Sequence, residues 1–315
     1  MQAVQIVKFG PPDVLKLMDI PVPVPAPNQV LVRVHAAGLN PVDWKTRSGL
    51  GFAAEQIRDR LPWTPGYDIS GTVEQCGTNV SGLAPGDPVF GMIGFGARGG
   101  GYAEYALADA TELATKPLSL PHPDAAGVPL AALTAWQALI ITGKLVAGET
   151  VLIHAAAGGV GHFAVQLARH YGARVITTAS PGNHEWLYKL GAEQCIDYTR
   201  QDFTRLVDNI DLVIDGVGGG TGMRSLDVLS PTGRLVCLPT ISAKQIQAKA
   251  DELGLNATGI LVHMDREQLT TIAGLLDQGK INVHIEKTYS LTDAPRAHQH
   301  LETGHVAGKL VLTIP

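Results

Sequence analysis

Apolar and polar positions change their rhythm once along this chain. From about residue 123, apolar runs of strand length alternate with stretches of helical spacing. The clearest case is Val151-Leu152-Ile153-His154, an apolar β-type run. It enters a glycine turn, after which Ala164, Val165, Leu167, Ala168 and Tyr171 recur at helical intervals and a second strand follows at 174–178. Further strands are predicted at 194–197, 211–215, 234–238 and 257–262, with the first starting at Thr150. Helices are predicted at 125–141, 183–190, 222–229 and 266–278. Six strands joined by crossover helices predict an α/β, doubly wound parallel sheet.

Residues 1 to about 120 read differently, as an all-β region. Positions 2–8 are strand-like, 30–36 alternate apolar and polar residues, and 72–76 and 88–92 are short strands. Pro21-Val22-Pro23-Val24-Pro25-Ala26-Pro27 is extended and stiff. Turns carry Gly38, Pro65-Gly66 and Pro85-Gly86-Asp87. This predicts a small barrel-like domain. Beyond about Ile285 the pattern is irregular and ends in a strand at 309–314. A six-strand nucleotide sheet has no place for that strand, so it is expected to return to the first domain. The expected organisation is 1–122 with 285–315 as the mainly β domain, and 123–284 as the parallel-sheet domain.

The 315 residues exceed one comfortable core, in keeping with two domains. A formal charge of -5 argues against nucleic acid or an anionic membrane as partner. No apolar run approaches a membrane span. The first residues show no basic-then-apolar leader, so the expected location is cytoplasmic. Cys76, Cys195 and Cys237 are scattered, which fits a reducing compartment and provides neither a disulfide framework nor a structural zinc lobe.

The glycine turn carries the chemistry. Ala156-x-Gly158-x-x-Gly161 lies between a strand and a helix, the context of a dinucleotide fingerprint. Gly158 would let the backbone approach a pyrophosphate, and Gly161 would let the helix pack close to the sheet. The helix start offers free N–H groups to the anion. The first position is Ala156, so the turn must fit a Cβ. NAD-binding sheets place a carboxylate at the end of the second strand. Here Ala179 holds that place, which permits a 2′-phosphate and points to NADPH. Ser180 and Asn183 can donate to that phosphate, cap the next helix, or do both. Lys189 is a possible counter-charge, and no arginine follows the strand.

Several segments in order resemble the medium-chain dehydrogenase/reductase superfamily, specifically its zinc-independent quinone oxidoreductase and enone reductase branch. They are Ala36-Ala37-Gly38-Leu39-Asn40-Pro41-Val42-Asp43-Trp44-Lys45, Pro65-Gly66-Tyr67-Asp68-Ile69-Ser70-Gly71, Gly100-Gly101-Tyr102-Ala103-Glu104-Tyr105, Ala131-Ala132-Leu133-Thr134-Ala135, the glycine turn, Leu190-Gly191-Ala192 with Ile196-Asp197-Tyr198, and Gly304-His305-Val306-Ala307-Gly308-Lys309. The resemblance implies a Rossmann domain beside a GroES-like β domain. It also implies cofactor contacts from Thr134, Ala157, Gly158, Gly159, Val160, Gly161, Ser180, Asn183, Tyr198, His263 and Lys309. Zinc-dependent relatives use a Cys, a His followed by Glu, and a second Cys. Asn40, Tyr67-Asp68 and a position near Leu130 replace them, so no metal is expected.

Without zinc, negative charge developing on a substrate oxygen needs hydrogen-bond donors. Asn40 and Tyr67 are the expected donors, and the proton would come from Tyr67, Lys45 or water. Tyr67 reads equally well as a packed core tyrosine. Asp43 and Lys45 can pair, and Asp68 is expected to structure its loop. The implied activity is NADPH-dependent reduction of small-molecule quinones or α,β-unsaturated carbonyls. Alternatives are a non-catalytic NADPH-binding accessory protein, or a reductase of another activated alkene such as an enoyl thioester or haloacrylate. An apolar edge strand at 257–262, which in relatives builds a continuous sheet across two subunits, implies a homodimer.

Overall fold

A computed structural model describes all of residues 1–315. Strands β1 (Gln2–Ile6), β2 (Leu15–Asp19) and β3 (Gln29–Gly38) come first, followed by helices α1 (Pro41–Arg47) and α2 (Gly51–Ile57). Strands β4 (Asp68–Cys76), β5 (Pro88–Met92), β6 (Tyr105–Asp109) and β7 (Leu113–Thr115) precede helices α3 (His122–Ala126) and α4 (Pro129–Trp136). The alternating part runs β8 (Thr150–Ile153), α5 (Gly161–His170), β9 (Arg174–Ala179), α6 (His184–Leu190), β10 (Gln194–Asp197), β11 (Ile210–Asp215) and α7 (Gly219–Ser225). It continues through β12 (Leu229–Cys237), α8 (Thr240–Leu253), β13 (Asn256–Gly259) and α9 (Arg266–Asp277). The chain ends with β14 (Ile285–Ser290), α10 (Ala294–Glu302) and β15 (Lys309–Thr313).

The chain divides into two units. One comprises Met1–Leu133, His263–Gly279 and Val283–Pro315; the other comprises Thr134–Val262 and Lys280–Asn282. The second unit carries the parallel sheet, in the order β10-β9-β8-β11-β12-β13. Every neighbouring pair in it is parallel. Its central strands are continuous apolar runs because both faces are covered: Val151, Leu152 and Ile153 are buried, as are Leu212, Val213 and Ile214. Leu152, Val213 and Leu235 share one core with Phe203 and Ile246. The chain leaves β8 toward β9 on one side, and β11 lies on the other. That reversal is the point where ligands settle in such sheets.

The first unit holds a mixed sheet in the order β14-β15-β3-β4-β5-β7, with β6 also on β3. The C-terminal strand does return here. It pairs antiparallel with β3, Val311 opposite Gly38 and Thr313 opposite Ala36, and parallel with β14. Gly38 must be glycine, since a Cβ there would lie 2.2 Å from the carbonyl oxygen of Ala126.

Three elements correct the sequence expectations. The first 120 residues are not all β, because α1 and α2 interrupt them. The signal for α1 stood in Asn40-Pro41-Val42-Asp43: proline at the first helical position, and the Asp43 carboxylate accepting the Asn40 N–H at 2.7 Å. The predicted helix at 125–141 breaks at Gly127, where α3 ends, and after α4 it widens into a π-type turn over Gln137–Thr142. The sixth strand stops at Gly259, before Val262, and its residues are half-buried or exposed. Residues 123–133 and 263–279 group with the first unit because α3 packs on β3 and β4 and α9 packs on β7.

Candidate functional site

In the second unit the glycine turn follows β8 directly. Ala155 takes the left-handed conformation, φ 52°, one residue before the first fingerprint position. The buried Ala156 gives its N–H to the Thr178 carbonyl on β9 at 3.2 Å. Gly158 closes the turn on the Ala155 carbonyl at 3.0 Å. A Cβ on Gly161 would lie 2.4 Å from the Ala155 oxygen and 2.6 Å from the Ala156 Cα, so no other residue fits. The ten-residue helix α5 therefore begins hard against the turn, whose Gly158 and Val160 carbonyls already accept the His162 and Ala164 N–H groups at 3.1 and 3.0 Å. In this turn Ala157 is buried and Gly158, Gly159 and Val160 are half-buried.

Behind the turn, His154 is buried between strands and helix. Its Nε2 and Nδ1 each lie 2.9 Å from a hydroxyl, those of Ser225 and Thr178. Ser225 already donates to the Thr221 carbonyl at 2.7 Å. The ring must therefore donate from Nε2 and accept from Thr178 at Nδ1. Burial, helped by the Arg224 charge, lowers its pKa to about 4 and keeps it neutral. A second glycine run was not singled out in the sequence: Gly216-Val217-Gly218-Gly219-Gly220-Thr221-Gly222, directly after β11. Asp215 accepts the N–H groups of Val217 and Gly218 at 2.9 and 2.8 Å. A Cβ on Gly216 would touch Ala155 at 3.6 Å, so this loop flanks the first glycine turn where the strand order reverses. Its composition after a strand was the signal that could have revealed it.

At the end of β9, Ala179 is buried and pairs in register with Asp197 of β10. The next residues on these adjacent strands are Ser180 and Tyr198, and the Tyr198 side chain is exposed. Asn183 donates to the Ser180 hydroxyl at 3.1 Å, and neither side chain caps a helix. The His184 ring bonds the Ala179 carbonyl at 3.1 Å. Lys189 pairs with Glu185 at 2.7 Å on the exposed face of α6. Thr134 is buried on α4, and His263 is exposed four residues beyond the end of β13.

The first unit contains a buried polar chain. Lys309 on β15 donates to the Leu39 carbonyl at 2.8 Å and to the Asn40 Oδ1, and faces Asp68 at 3.7 Å. Asn40 donates through Nδ2 to the Asp68 Oδ2 at 2.9 Å, while the other Asp68 oxygen accepts the Leu130 N–H at 2.8 Å. From Asn40 the chain passes to Asp43, whose Oδ2 also accepts from the Tyr102 hydroxyl at 3.3 Å, and on to His298 Nε2, 3.3 Å from that hydroxyl. All six side chains are buried. Burial raises the Asp68 pKa and lowers that of Lys309, and each charge opposes the shift of the other.

Lys309 is thus held inside the first unit by two hydrogen bonds and the nearby Asp68 carboxylate. Asp43 does not pair with Lys45, which is exposed with its ammonium 5.8 Å from the Trp44 ring. Tyr67 is wholly buried against Trp63 and Phe95. Its hydroxyl has no hydrogen-bond partner, although Thr46 stands beside it, and burial next to Asp43 pushes its pKa above the phenol range. Of the three expected catalytic side chains, Asn40 enters the network, Tyr67 borders it, and Lys45 lies outside. Asp43, Tyr102 and His298 were not expected there, since only the fold brings their three segments together.

Asp43 and His298 shift in opposite directions. Burial, reinforced by the Asp68 carboxylate, raises Asp43 to about 7; burial, helped by Arg47, lowers His298 to about 3. Unfolded at about pH 5, the chain carries a proton on His298 and none on Asp43. Folded, it carries one on Asp43 and none on His298. Both states bind one proton, so the pair leaves stability flat from about pH 4 to about 6.5. Single variants unmask the two slopes. Without Asp43, stability present above the unfolded histidine value is lost as pH falls toward 3. Without His298, stability present below the unfolded carboxyl value is lost as pH rises through 7. Relative to the parent, Asp43→Asn should therefore lose stability toward acid and His298→Gln toward neutrality. The slopes should reach up to about 1.4 kcal/mol per pH unit. Urea unfolding at several pH values checks this, and parallel profiles for all three proteins would refute it.

Comparison with known proteins agrees with this architecture. Residues 26–118 match the family described as alcohol dehydrogenase GroES-like domain, and residues 190–312 match the one described as zinc-binding dehydrogenase. The chain is 34% identical to the mitochondrial NAD(P)H oxidoreductase RTN4IP1 of Danio rerio, across 100% of this chain and 91% of that protein. It is 36% identical to the 2-methylene-furan-3-one reductase of Solanum lycopersicum, across 99% of this chain and 79% of that protein. The solved quinone oxidoreductase of Coxiella burnetii superposes with a TM-score of 0.97 at 45% identity, covering 100% of this chain and 99% of that one. No three His, Cys, Asp or Glu side chains gather as a metal site, and no helix is long and apolar enough to cross a membrane. With a parallel nucleotide-type sheet in one unit and a GroES-like β unit in the other, the chain belongs to the medium-chain dehydrogenase/reductase superfamily, among its quinone oxidoreductases and enone reductases.

Proposed function

We propose that this protein is an NADPH-dependent oxidoreductase that reduces quinones or α,β-unsaturated carbonyls by hydride transfer. The observation that carries the reading is the acid-free end of β9 beside an open glycine turn. Ala179 stands where a carboxylate would repel a 2′-phosphate, and Ser180, Asn183 and Tyr198 gather next to it as neutral donors. Gly158 shapes the turn by closing it on Ala155, and Gly159, Val160 and Gly161 present backbone N–H groups suited to a pyrophosphate. Ala157 and Thr134 belong to the same unit, and the His263 backbone, expected at the nicotinamide, belongs to the other. When bound, the reduced nicotinamide supplies the hydride. This chain's part is to hold the substrate oxygen as charge grows on it, which we assign to Asn40. The Tyr67 hydroxyl stays neutral at working pH and can serve only as a hydrogen-bond donor. Water or Lys45 supplies the proton.

We also propose that the reaction needs no metal, because Asn40, Tyr67 and Leu130 offer no ligand set at the positions zinc-dependent relatives use. NADPH oxidation should proceed with 1,4-benzoquinone or 2-cyclohexen-1-one, in full after chelation. No turnover with any quinone, enone or enoyl thioester, despite tight NADPH binding, would favour an accessory binding role instead. Calorimetry should show NADPH binding more tightly than NADH. Ala179→Asp should weaken NADPH at least tenfold by placing a carboxylate against the 2′-phosphate. Equal affinities in the parent would remove the argument from β9.

The partner we propose is a second copy of the chain. β13 is an edge strand with open backbone groups, and Leu253, Leu261 and Ile241 near it are exposed. Sedimentation at micromolar concentration should give a dimer; a monomer would contradict this.

A further inference from the structure

Asn40 is gripped by two neighbours of opposite charge. An ammonium has only donors and a carboxylate only acceptors. The orientation of the amide is therefore dictated by its partners: Oδ1 toward Lys309, Nδ2 toward Asp68. Turning it over would set Nδ2 against the ammonium and Oδ1 against the carboxylate. The partners are themselves fixed. Lys309 is tied to the Leu39 carbonyl at 2.8 Å, and Asp68 is tied to the Leu130 N–H at 2.8 Å. The Asn40 backbone N–H is already given to Asp43 at 2.7 Å. The second Nδ2–H is not used by these partners and is the hydrogen the side chain has left to offer a ligand, while Oδ1 is turned to the ammonium. An ammonium on Oδ1 also draws electron density from the amide and strengthens that remaining donor.

We propose that Lys309 and Asp68 are positioning residues that hold the Asn40 amide in one orientation, with its remaining Nδ2–H presented to a carbonyl oxygen that gains negative charge. The inference rests on the reductase reading above and deepens it, because it assigns the polarisation of the substrate to a buried lysine acting through an amide. Hydride arrives at the β-carbon of an enone, or at a quinone ring, and the carbon–oxygen π electrons move onto oxygen. The Asn40 Nδ2–H stabilises that oxygen until a solvent proton neutralises the product.

The test combines two readouts. In the protein alone, the Asn40 carboxamide is identified in a ¹⁵N correlation spectrum by its loss in Asn40→Ala. In the parent its two protons should be well separated and slow to exchange. In Lys309→Met they should move together and exchange at least tenfold faster. In single-turnover hydride transfer at saturating NADPH, with 1,4-benzoquinone and 2-cyclohexen-1-one, Lys309→Met should slow the step roughly ten- to a hundredfold. NADPH affinity should stay within about twofold, by comparison with the tenfold that 1.4 kcal/mol would give. The double variant with Asn40→Ala should be no slower than Asn40→Ala alone, since both remove one device. Asp68→Asn is the gentler second variant if Lys309→Met does not fold. It should slow the step in the same non-additive way, and Lys309→Arg should recover part of the rate.

Additive losses, or a parent-like rate in Lys309→Met while Asn40→Ala is slow, would overturn the positioning role and leave the reductase reading standing. A parent-like rate in Asn40→Ala would overturn the donor assignment and the positioning role together. A parent protein that reduces neither compound would overturn the reductase reading, and this inference with it.

Discussion

A lysine charge sealed inside the β unit is the constraint on which the rest of that unit depends. Taking an ammonium and a carboxylate out of water costs on the order of several kcal/mol per ion, and only near-complete hydrogen bonding offsets it. Lys309 meets that demand with three partners from two segments: the Leu39 carbonyl and the Asn40 amide from one, and Asp68 from the other. Those segments adjoin only if β15 docks on β3, and the close approach at Gly38 seats the Ala126 carbonyl of α3 against the same strand. Sheet closure, the start of α1 and the orientation of Asn40 are thus one structural decision. Removing any of its charged members leaves the others buried without compensation.

The parallel-sheet unit follows the same logic with neutral groups. His154 sits under the glycine turn and would be costly there if charged, so two hydroxyls hold it neutral in one tautomer. Gly161 lets α5 start against the Ala155 carbonyl, and Ala155 itself takes the left-handed conformation in the turn. In both units a buried polar device fixes the backbone next to the residues expected to meet a ligand. Rigid support of this kind is what precise hydrogen bonding to a transition state requires.

Much of this was legible in the sequence where the signal is local. The strand, glycine turn and helix around Gly158 and the acid-free Ala179 follow from patterns a few residues long, and the return of the last strand follows from counting strands. What escaped has two physical origins. Some of it was local but masked by a regional impression: Asn40-Pro41-Val42-Asp43 is a helix start, lost in a stretch dominated by strands and prolines. The glycine run after Asp215 was passed over for the stronger fingerprint. The remainder is not local at all. Nothing in the sequence near Lys309 says that it lies against Asn40, 269 residues away, or that Tyr102 joins Asp43 to His298. A surface lysine and a buried one look alike until the sheet order is known. The edge strand was overextended because Ile260, Leu261 and Val262 continue its apolar run, although pairing with β12 ends at Gly259.

The account's central claim is that Asn40 meets a substrate carbonyl as a fixed donor. The most direct measurement is a high-resolution crystal structure of the protein with NADP⁺ and a bound saturated ketone, the product of enone reduction. The account predicts the ketone oxygen within hydrogen-bond reach of the Asn40 Nδ2, at about 2.9 Å, with Oδ1 still on Lys309 and the other Nδ2 hydrogen on Asp68. A ketone oxygen bound elsewhere, or an Asn40 amide turned away from Lys309 to receive it, would contradict it.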